Sequence, residues 1–227
     1  MKLSLFDLDN TLLDGDSDYA WAQHLIELGI LDREFYEAEN DRYYRDYLAG
    51  NLDIRAFLDF QLAPLARYSL EQLQAWRADF LAHKIKPMLL PEAMELVRAR
   101  INQGDKVAII TATNAFITRP IADLFGVEHL LATEPEFLAG RYTGKTVGEP
   151  CFQGGKVSRL HAWLAQVGLK LKDFEQSWFF TDSRNDLPLL LEVSHPVAVR
   201  PDVALREAAE RGGWPIITLK DEADLPS

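Results

Sequence analysis

Two carboxylates, Asp7 and Asp9, stand at the end of a short apolar segment near the start of the chain. The segment from Leu3 to Leu8 is typical of a buried strand, and open α/β sheets bind ligands at the carboxyl ends of their strands. Side chains two residues apart on an extended strand point to the same face. Because neighbouring carboxylates repel, the pair predicts a divalent cation beside it, in the simplest case Mg²⁺. An acidic turn after a strand would give the same pattern. Motifs elsewhere in the chain are therefore needed to distinguish a metal site from such a turn.

Further polar groups lie where other predicted elements begin or end. Thr111 ends an apolar run, Lys156 opens a helix after two glycines, and Asp182 and Asp186 follow a second apolar run. Each has a plainer interpretation, because a threonine can cap a helix, a lysine can lie in solvent, and aspartates can be caps or surface charges. Their joint order along the chain favours one shared site.

The elements between these groups predict how they come together. Residues 15 to about 85 carry only helical patterns, including a capping box from Ser69 to Gln72 and a helix that Asp53 would cap and Pro64 would end. From residue 91 helices and strands alternate, with strands predicted at Lys106–Ile110, Leu130–Thr133, Ser177–Thr181, Val197–Val199 and Ile216–Leu219. This pattern predicts an α/β fold with a doubly wound, mainly parallel sheet.

The helical block is predicted to be an insertion. We expect a Rossmann-like core from residues 1–14 and 86–227, and a small helical cap domain from residues 15–85, placed beside the strand ends. Within the block, Phe35, Tyr36, Tyr43, Tyr44 and Tyr47 recur on one predicted helix, and we expect them to pack in the core of a small bundle. A hairpin arm is predicted around residues 140–144.

Composition excludes several classes of function. The chain of 227 residues is 48% apolar and 11% aromatic, which suits a folded domain with a sizeable core. A net charge of −11 without a basic stripe argues against nucleic-acid and membrane partners. Cys151 is the only cysteine, so no internal disulfide forms, and we expect an idle thiol and a cytoplasmic protein. Either a monomer or a homodimer is compatible with the sequence.

The motifs together resemble those of the haloacid dehalogenase-like phosphohydrolase superfamily. Similar segments occur in the same order: Asp7-Leu8-Asp9-Asn10-Thr11-Leu12, Thr111, Lys156 and Asp182-Ser183-Arg184-Asn185-Asp186. A helical cap between the first and second motifs resembles the subclass that contains phosphoserine phosphatase. The segments Thr118–Ala122 and Arg141–Gly144 resemble a bacterial branch of that subclass, some of whose members act on histidinol phosphate.

The resemblance implies roles for these residues. Asp7 would attack phosphorus and form an aspartyl phosphate, while Asp9 would act as general acid and base. Asp7, Asp182 and the backbone carbonyl of Asp9 would hold Mg²⁺, with Asp186 either near the metal or orienting Lys156. Thr111 and Lys156 would bind the phosphoryl oxygens. The implied substrate is a small phosphorylated metabolite. Dehalogenases of this superfamily usually lack the second Asp, so dehalogenation is not expected.

The organic part of the substrate is less defined. Asp16 has the spacing at which the phosphoserine phosphatase pattern places an acidic contact to the substrate ammonium, but it could equally be a helix N-cap. Where that pattern expects an arginine for the substrate carboxylate, this chain has Asp59, and Arg42, Arg45 or Arg55 would have to replace it. We expect an amine-bearing ester such as histidinol phosphate or phosphoserine. The departure weakens phosphoserine and leaves room for an amine-bearing ester without a carboxylate, such as histidinol phosphate or phosphoethanolamine.

Two other functions remain open at this point. A phosphotransferase that passes the phosphoryl group to another alcohol would have the same motifs. A receiver-type phosphoacceptor switch also combines acidic residues, Thr, Lys and Mg²⁺. It normally carries its phosphorylated Asp on a later strand and has no helical insertion, so we rank it below the phosphatase.

Overall fold

The computed structural model describes residues 1–219, which form a seven-stranded sheet with helices on both faces. The strands are β1 (Lys2–Phe6), β2 (Lys106–Asn114), β3 (His129–Leu138), β4 (Arg141–Val147), β5 (Gln176–Thr181), β6 (His195–Val199) and β7 (Ile216–Ile217). Their order is β4-β3-β2-β1-β5-β6-β7, and all neighbours are parallel except β3 and β4. The prediction of a doubly wound, mainly parallel sheet is therefore confirmed.

The order of the strands reverses at β1. β2 pairs with β1 on one side and β5 pairs with it on the other, both in parallel register. Connections that leave such a point to opposite faces open a crevice at the carboxyl ends of the strands. Asp7 directly follows β1, Thr111 lies in the second half of β2, and Asp182 directly follows β5. The topology alone therefore brings these three residues to one crevice.

The helical elements occupy the segment after β1 and the crossovers between later strands. The α-helices of the described chain are α1 (Ser17–Glu27), α2 (Arg33–Ala49), α3 (Ile54–Arg67), α4 (Leu70–Phe80), α5 (Lys86–Met88), α6 (Pro91–Asn102), α7 (Ala115–Leu124), α8 (Gly154–Gln166), α9 (Leu187–Leu190) and α10 (Val203–Gly212), with a π-helical turn at Leu81–Ile85. The segment from 15 to 85 is helical, as its pattern predicts. An isolated bridge from Leu13 to Leu89 joins its entry to its exit.

Alternate strand residues supply two hydrophobic cores, one on each face of the sheet. Phe6 and Ile109 belong to the core that includes side chains of α1, α6 and α7. Leu5 and Ile110 belong to the core that includes side chains of α8, α9 and α10. Strands that are buried on both faces read as continuous apolar runs, which is why β1, β2 and β5 could be recognised in the sequence.

Helix α3 contradicts one prediction, because it continues through Pro64 to Arg67. Proline removes one backbone hydrogen bond inside a helix, and packing has to offset that loss. Leu62 and Leu65 on either side of the proline are fully or almost fully buried. The helix also contacts the β3–β4 hairpin, where a Cβ atom added to Gly144 would lie 3.3 Å from the Cβ of Ala66. Tertiary packing therefore overrides the local stop signal. The capping box at Ser69 and the Asp53 cap are confirmed.

Several strand boundaries also differ from the predicted ones. β1 ends at Phe6 instead of Leu8, because the backbone then turns and the Leu12 N–H donates to the Leu8 carbonyl. β2 continues past Ile110 to Asn114 through a shift in register with β3. β3 extends to residue 138 because the antiparallel hairpin with β4 prolongs it. None of the helices in residues 1–219 combines the length and apolar character that a membrane span requires.

Candidate active site

A lysine and three aspartates meet at the crevice. The Lys156 Nζ atom donates to Asp7 Oδ1 at 2.8 Å and to Asp186 Oδ2 at 2.7 Å. The Thr11 hydroxyl lies 3.2 Å from Asp7 Oδ2 and 3.2 Å from Asp182 Oδ1, so it is shared between these two carboxylates. Residues from three separate segments of the sequence therefore form one bonded cluster.

The start of α8 positions Lys156. The helix begins at Gly154, and a Cβ atom at Gly155 would overlap the backbone carbonyl of Pro150, so only glycine fits there. This close approach places the first turn of the helix against the loop and directs the side chain of Lys156 into the crevice, where the residue is 3% exposed. Burial alone would lower the pKa of Lys156, but the carboxylates of Asp186 and Asp7 outweigh burial and raise it.

The carboxylates of this cluster carry more negative charge than Lys156 neutralises. Burial raises the pKa of Asp7 to about 7, although Lys156 opposes this shift. Burial and the carboxylates of Asp7 and Asp186 raise the pKa of Asp182 well above its usual range. Three carboxylates around one ammonium leave a deficit of positive charge, and oxygen donors of this kind are those that Mg²⁺ prefers. The residues present therefore fit a divalent cation.

Asp7 and Asp182 are the carboxylates available to such a cation. Asp186 is already bound by Lys156, and the Thr181 hydroxyl donates to its Oδ2 atom at 2.6 Å. This geometry matches a residue that orients Lys156. Among residues 1–219, no group of three or more His, Cys, Asp or Glu side chains is arranged to hold a metal. A site here would have to combine two carboxylates with backbone carbonyl and water oxygens.

Asp9 has partners different from those of Asp7. The backbone N–H of Ser17 donates to Asp9 Oδ1 at 2.6 Å, and the Thr113 hydroxyl donates to Oδ2 at 2.8 Å. Burial and the nearby Asp16 raise the pKa of Asp9 to about 6, in spite of these donors. A carboxyl group whose pKa lies near neutrality can both give and accept a proton.

Thr113 is not among the site residues that the sequence predicts. Because side chains two residues apart on a strand share a face, the pair Thr111 and Thr113 carried a usable signal. The Thr111 hydroxyl accepts from the Thr113 N–H at 3.1 Å and lies 3.5 Å from Asp9 Oδ2. The N-cap of α7 is Asn114, so the alternative that Thr111 caps this helix is wrong.

Asp16 is the N-cap of α1 and also lines the cavity beside the cluster. Its Oδ1 atom accepts from the N–H groups of Asp18 and Tyr19, both at 2.9 Å. Both bonds reach the same oxygen, which leaves Oδ2 for a ligand. The two interpretations that the sequence left open are therefore compatible, because one carboxylate can cap the helix and face the cavity.

The cavity has a volume of about 150 Å³ and lies between the strand ends and the helical block. Besides the predicted residues, its lining includes Asn10, Asp18, Tyr19, Asn40, Tyr43, Tyr44, Tyr47, Leu52, Ile54, Phe57, Gln61, Ala112, Thr113, Phe152, Ser183 and Asn185. The helical block thus supplies most of the aromatic lining. No sequence motif marks the lining residues of α1, α2 and α3, because their convergence depends on how these helices pack.

The prediction that the aromatic residues of α2 form a bundle core is correct only in part. Tyr36 and Tyr43 are buried, whereas Phe35 is 55% and Tyr44 60% exposed. The hydroxyl of Tyr47 bonds to the hydroxyl of Ser183 at 2.5 Å and so links the helical block to the loop after β5. One side of α2, with Tyr43, Tyr44 and Tyr47, therefore lines the cavity instead of belonging only to a bundle core.

The arginines expected to replace a carboxylate-binding residue are not at the cavity. Arg42, Arg45 and Arg55 do not line it. Arg42 instead pairs with Glu39 on its own helix, and Asp59 pairs with Lys145 at 2.9 Å on the surface. Within the described part of the chain, Lys156 is the only Lys or Arg that lines the cavity.

Comparison with known proteins identifies the family of the chain. The model of the haloacid dehalogenase-like hydrolase family matches residues 5–191. A histidinol-phosphatase of Neisseria meningitidis serogroup C (strain 8013) is 47% identical over 220 residues, which cover 96% of this chain and 99% of that protein.

Two solved structures show the same fold. A protein of unknown function from Bordetella pertussis Tohama I superposes with a TM-score of 0.91 at 46% identity, covering 96% of this chain and 98% of that one. A substrate-bound phosphoserine phosphatase superposes with a TM-score of 0.70 at 20% identity, covering 97% of this chain and 93% of that one. The family model and the near full-length relative show that the chain belongs to the haloacid dehalogenase-like hydrolase family and is a phosphoric monoester hydrolase.

Proposed function

We propose that this phosphoric monoester hydrolase removes the phosphate of histidinol phosphate, with Mg²⁺ as cofactor and an aspartyl phosphate as intermediate. The choice of substrate rests on the 47% identity, over almost the full length of both chains, to a protein named histidinol-phosphatase. The family assignment argues against the receiver-type alternative.

The charge distribution of the cavity supports an amine-bearing ester without a carboxylate. Lys156 is the only Lys or Arg among the described residues of the lining, and it is already bound between Asp7 and Asp186. Phosphoserine would bring a carboxylate that meets no free cationic side chain there. Asp16 and Asp18 line the same cavity and favour a cationic ligand. Histidinol phosphate carries an ammonium and an imidazole ring and has no carboxylate.

The first half of the proposed reaction transfers the phosphoryl group to the protein. A carboxylate oxygen of Asp7 attacks phosphorus, and the bond from phosphorus to the ester oxygen breaks. Asp9 gives its proton to the departing alkoxide, so the alcohol leaves neutral. Lys156 and the hydroxyl of Thr111 bind the phosphoryl oxygens, where negative charge is spread in the transition state.

The second half regenerates the protein. Asp9, now ionised, takes a proton from a water molecule, and the oxygen of that water attacks the phosphorus of the aspartyl phosphate. The bond between phosphorus and Asp7 breaks, and inorganic phosphate leaves. Asp7, Asp182 and the backbone carbonyl of Asp9 would hold Mg²⁺, which would supply positive charge for the phosphoryl group.

We further propose that residues 15–85 act as a cap domain on a core of residues 1–14 and 86–227. The helical block lines the cavity opposite the strand ends, and the hydrogen bond between the Tyr47 and Ser183 hydroxyls joins the two parts beside Asp182. A cap that covers the site excludes bulk water, and controlled access of water separates hydrolysis from transfer to another alcohol.

Phosphate release from a panel of esters tests the proposed function. The panel contains histidinol phosphate, phosphoserine, phosphoethanolamine and an aryl phosphate, each with Mg²⁺ and with chelator, and Asp7→Asn serves as the blank. We expect Mg²⁺-dependent release that is fastest from histidinol phosphate. If phosphate release is equally fast with chelator, Mg²⁺ is not the cofactor. If phosphoserine is hydrolysed fastest, histidinol phosphate is not the preferred substrate.

The phosphotransferase alternative is tested in the same assay. Glycerol or ethanolamine is added as acceptor at increasing concentration, and free phosphate is compared with the alcohol that is released. A hydrolase gives equal amounts of both products at all acceptor concentrations. An amount of free phosphate that falls below the released alcohol would show transfer.

A further inference from the structure

Among residues 1–219, two residues that line the cavity each have a buried polar atom without a hydrogen-bond partner. These atoms are Oδ1 of Asp18 in the first turn of α1 and Nδ2 of Asn40 in the middle of α2. Both residues line the cavity, and they are 7% and 5% exposed. Because buried polar groups are almost always bonded, two orphaned groups of opposite type at one cavity need an explanation.

The surroundings of Asp18 disfavour the ionised form of its carboxyl group. Burial raises the pKa of this carboxyl well above its usual range, and the nearby carboxylates of Asp16 and Asp9 raise it further. Within residues 1–219, no cationic side chain forms an ion pair with Asp18 or opposes the rise of its pKa. A ligand that brings an N–H donor would therefore satisfy a group that the protein itself leaves unsatisfied.

Asn40 is held in one orientation by its neighbour. Gln61 donates through Nε2 to Asn40 Oδ1 at 3.1 Å, and this bond is buried. Because the acceptor end of the amide is occupied, the Nδ2 end is the one left for a ligand. Asn40 therefore offers a donor to the cavity, while Asp18 offers an acceptor.

A neutral imidazole ring matches this pair of groups. One ring nitrogen carries a hydrogen and donates, and the other accepts. A primary ammonium has only donors and could not use Asn40. Tyr43 and Phe57 line the same cavity and supply apolar surface against which a flat ring can pack.

We propose that Asp18 and Asn40 recognise the imidazole ring of the substrate, with Asp18 accepting from the ring N–H and Asn40 donating to the second ring nitrogen. This inference rests on the proposed function and assigns its substrate specificity to two residues of the helical block. A site built to bond a polar group of its substrate discriminates against analogues that lack the group, because its own polar atoms then stay unpaired.

Kinetics on two substrates test the pair at pH 8, where free imidazole is neutral. Asp18→Leu removes both acceptors with little change in shape, and Asn40→Asp keeps the bond from Gln61 but removes the donor. The exposed Asp41→Asn on α2 is the matched control. We expect kcat/KM for histidinol phosphate to fall at least about tenfold in the first two variants, as loss of one strong hydrogen bond implies. For phosphoethanolamine, which has no ring, we expect less than about a threefold change.

Binding and stability give readouts that do not depend on turnover. Histidinol without its phosphate should bind the wild-type protein more tightly than Asp18→Leu by calorimetry. The melting temperature of free Asp18→Leu should equal or exceed that of the wild type, because an unpaired buried carboxyl is removed. A structural role for Asp18 would instead lower the melting temperature.

The outcomes separate this inference from the proposed function. If the wild type hydrolyses histidinol phosphate and both variants lose equal activity on the two esters, or lose none, the recognition pair is overturned and the proposed function stands. If the wild type does not hydrolyse histidinol phosphate, the proposed substrate fails, and the imidazole pair fails with it.

Discussion

The two walls of the cavity differ in how their polar groups are satisfied. On the sheet wall, formed by the residues at the ends of β1, β2 and β5 together with Lys156, the carboxylates accept hydrogen bonds from Lys156 and from the Thr11 hydroxyl. On the helical wall, formed by the lining residues of α1, α2 and α3, Asp18 and Asn40 each keep one buried atom without a partner. A wall whose groups are bonded in advance suits a constant part of the substrate, and a wall with open groups suits the part that distinguishes one substrate from another.

This contrast matches the chemistry of a phosphate monoester. Every such ester presents the same phosphoryl group, which the sheet wall would bind with Lys156, Thr111 and a metal. The alcohol differs between esters, and it would face the helical wall. The residues that set the rate of the reaction would therefore lie on one wall, and the residues that select its substrate on the other.

Asp7→Asn should have the largest effect on the reaction. We expect turnover of every ester to fall by roughly a thousandfold or more, because an amide cannot attack phosphorus as the carboxylate does. The fold should survive, since the change preserves shape and removes a buried charge. Phosphate release and circular dichroism measure the two quantities. Turnover near that of the wild type would show that Asp7 is not the nucleophile.

Lys156→Met should have the largest effect on stability. Without the ammonium, Asp7 and Asp186 are left buried and unpaired, and breaking a buried ion pair costs about 3–5 kcal/mol. Urea unfolding measures the change, with the exposed Lys172→Met as the matched control. If Lys156→Met is as stable as the wild type, the sheet wall is not bonded in advance and the contrast between the walls fails.

Asp182→Asn tests the metal on the sheet wall. The Mg²⁺ concentration that gives half-maximal activity should rise about tenfold or more, because one of the two carboxylate ligands is neutralised. Asp123→Asn, on the surface helix α7, is the control and should leave the Mg²⁺ dependence unchanged. An unchanged dependence in Asp182→Asn would exclude this residue as a ligand.

Asp16 lies at the boundary between the walls, and two substitutions separate its two roles. Serine is a good N-cap without charge, whereas alanine is a poor cap. We expect Asp16→Ser to keep the melting temperature but to lower kcat/KM for amine-bearing esters about tenfold relative to an aryl phosphate. Asp16→Ala should show the same loss and also be less stable by about 1 kcal/mol. Wild-type specificity in Asp16→Ser would leave this residue as a cap alone.

Cys151 should have the smallest effect, although it lies close to Lys156. The residue is completely buried, its Sγ atom contacts the Leu131 carbonyl at 3.4 Å, and burial raises the pKa of the thiol to about 12. At pH 8 the thiol is therefore protonated and unreactive. Iodoacetamide at pH 8 should therefore leave activity unchanged. This result would support the assignment of the catalytic roles to carboxylates and not to the thiol. Loss of activity on alkylation of folded protein would contradict it.

The sheet wall could be predicted from the sequence because its residues follow strands or open a helix. Asp7, Thr111 and Asp182 are each preceded by an apolar run, and parallel strands bring their carboxyl ends to one edge. Lys156 follows a glycine pair that permits close packing of α8. Local patterns and one rule of topology were sufficient.

The helical wall could not be predicted in the same way. Tyr47 and Asn40 lie on a helix with no distinctive motif, and their position at the cavity depends on the packing of α2 against its neighbours. The passage of α3 through Pro64 shows the same limit, because burial of Leu62 and Leu65 decided the outcome instead of the local signal. Long-range packing determines both features, and no single segment of sequence encodes it.

The ratio of kcat/KM for histidinol phosphate to that for phosphoserine tests the central claim most directly. It is measured on the wild-type protein with Mg²⁺ at one pH, with both esters at several concentrations. We expect a ratio of at least about a hundred, because a substrate carboxylate would be buried beside Asp16 and Asp18 without a cationic partner. A ratio of one or below would contradict the account, because the helical wall would then accept a carboxylate that its charges should reject.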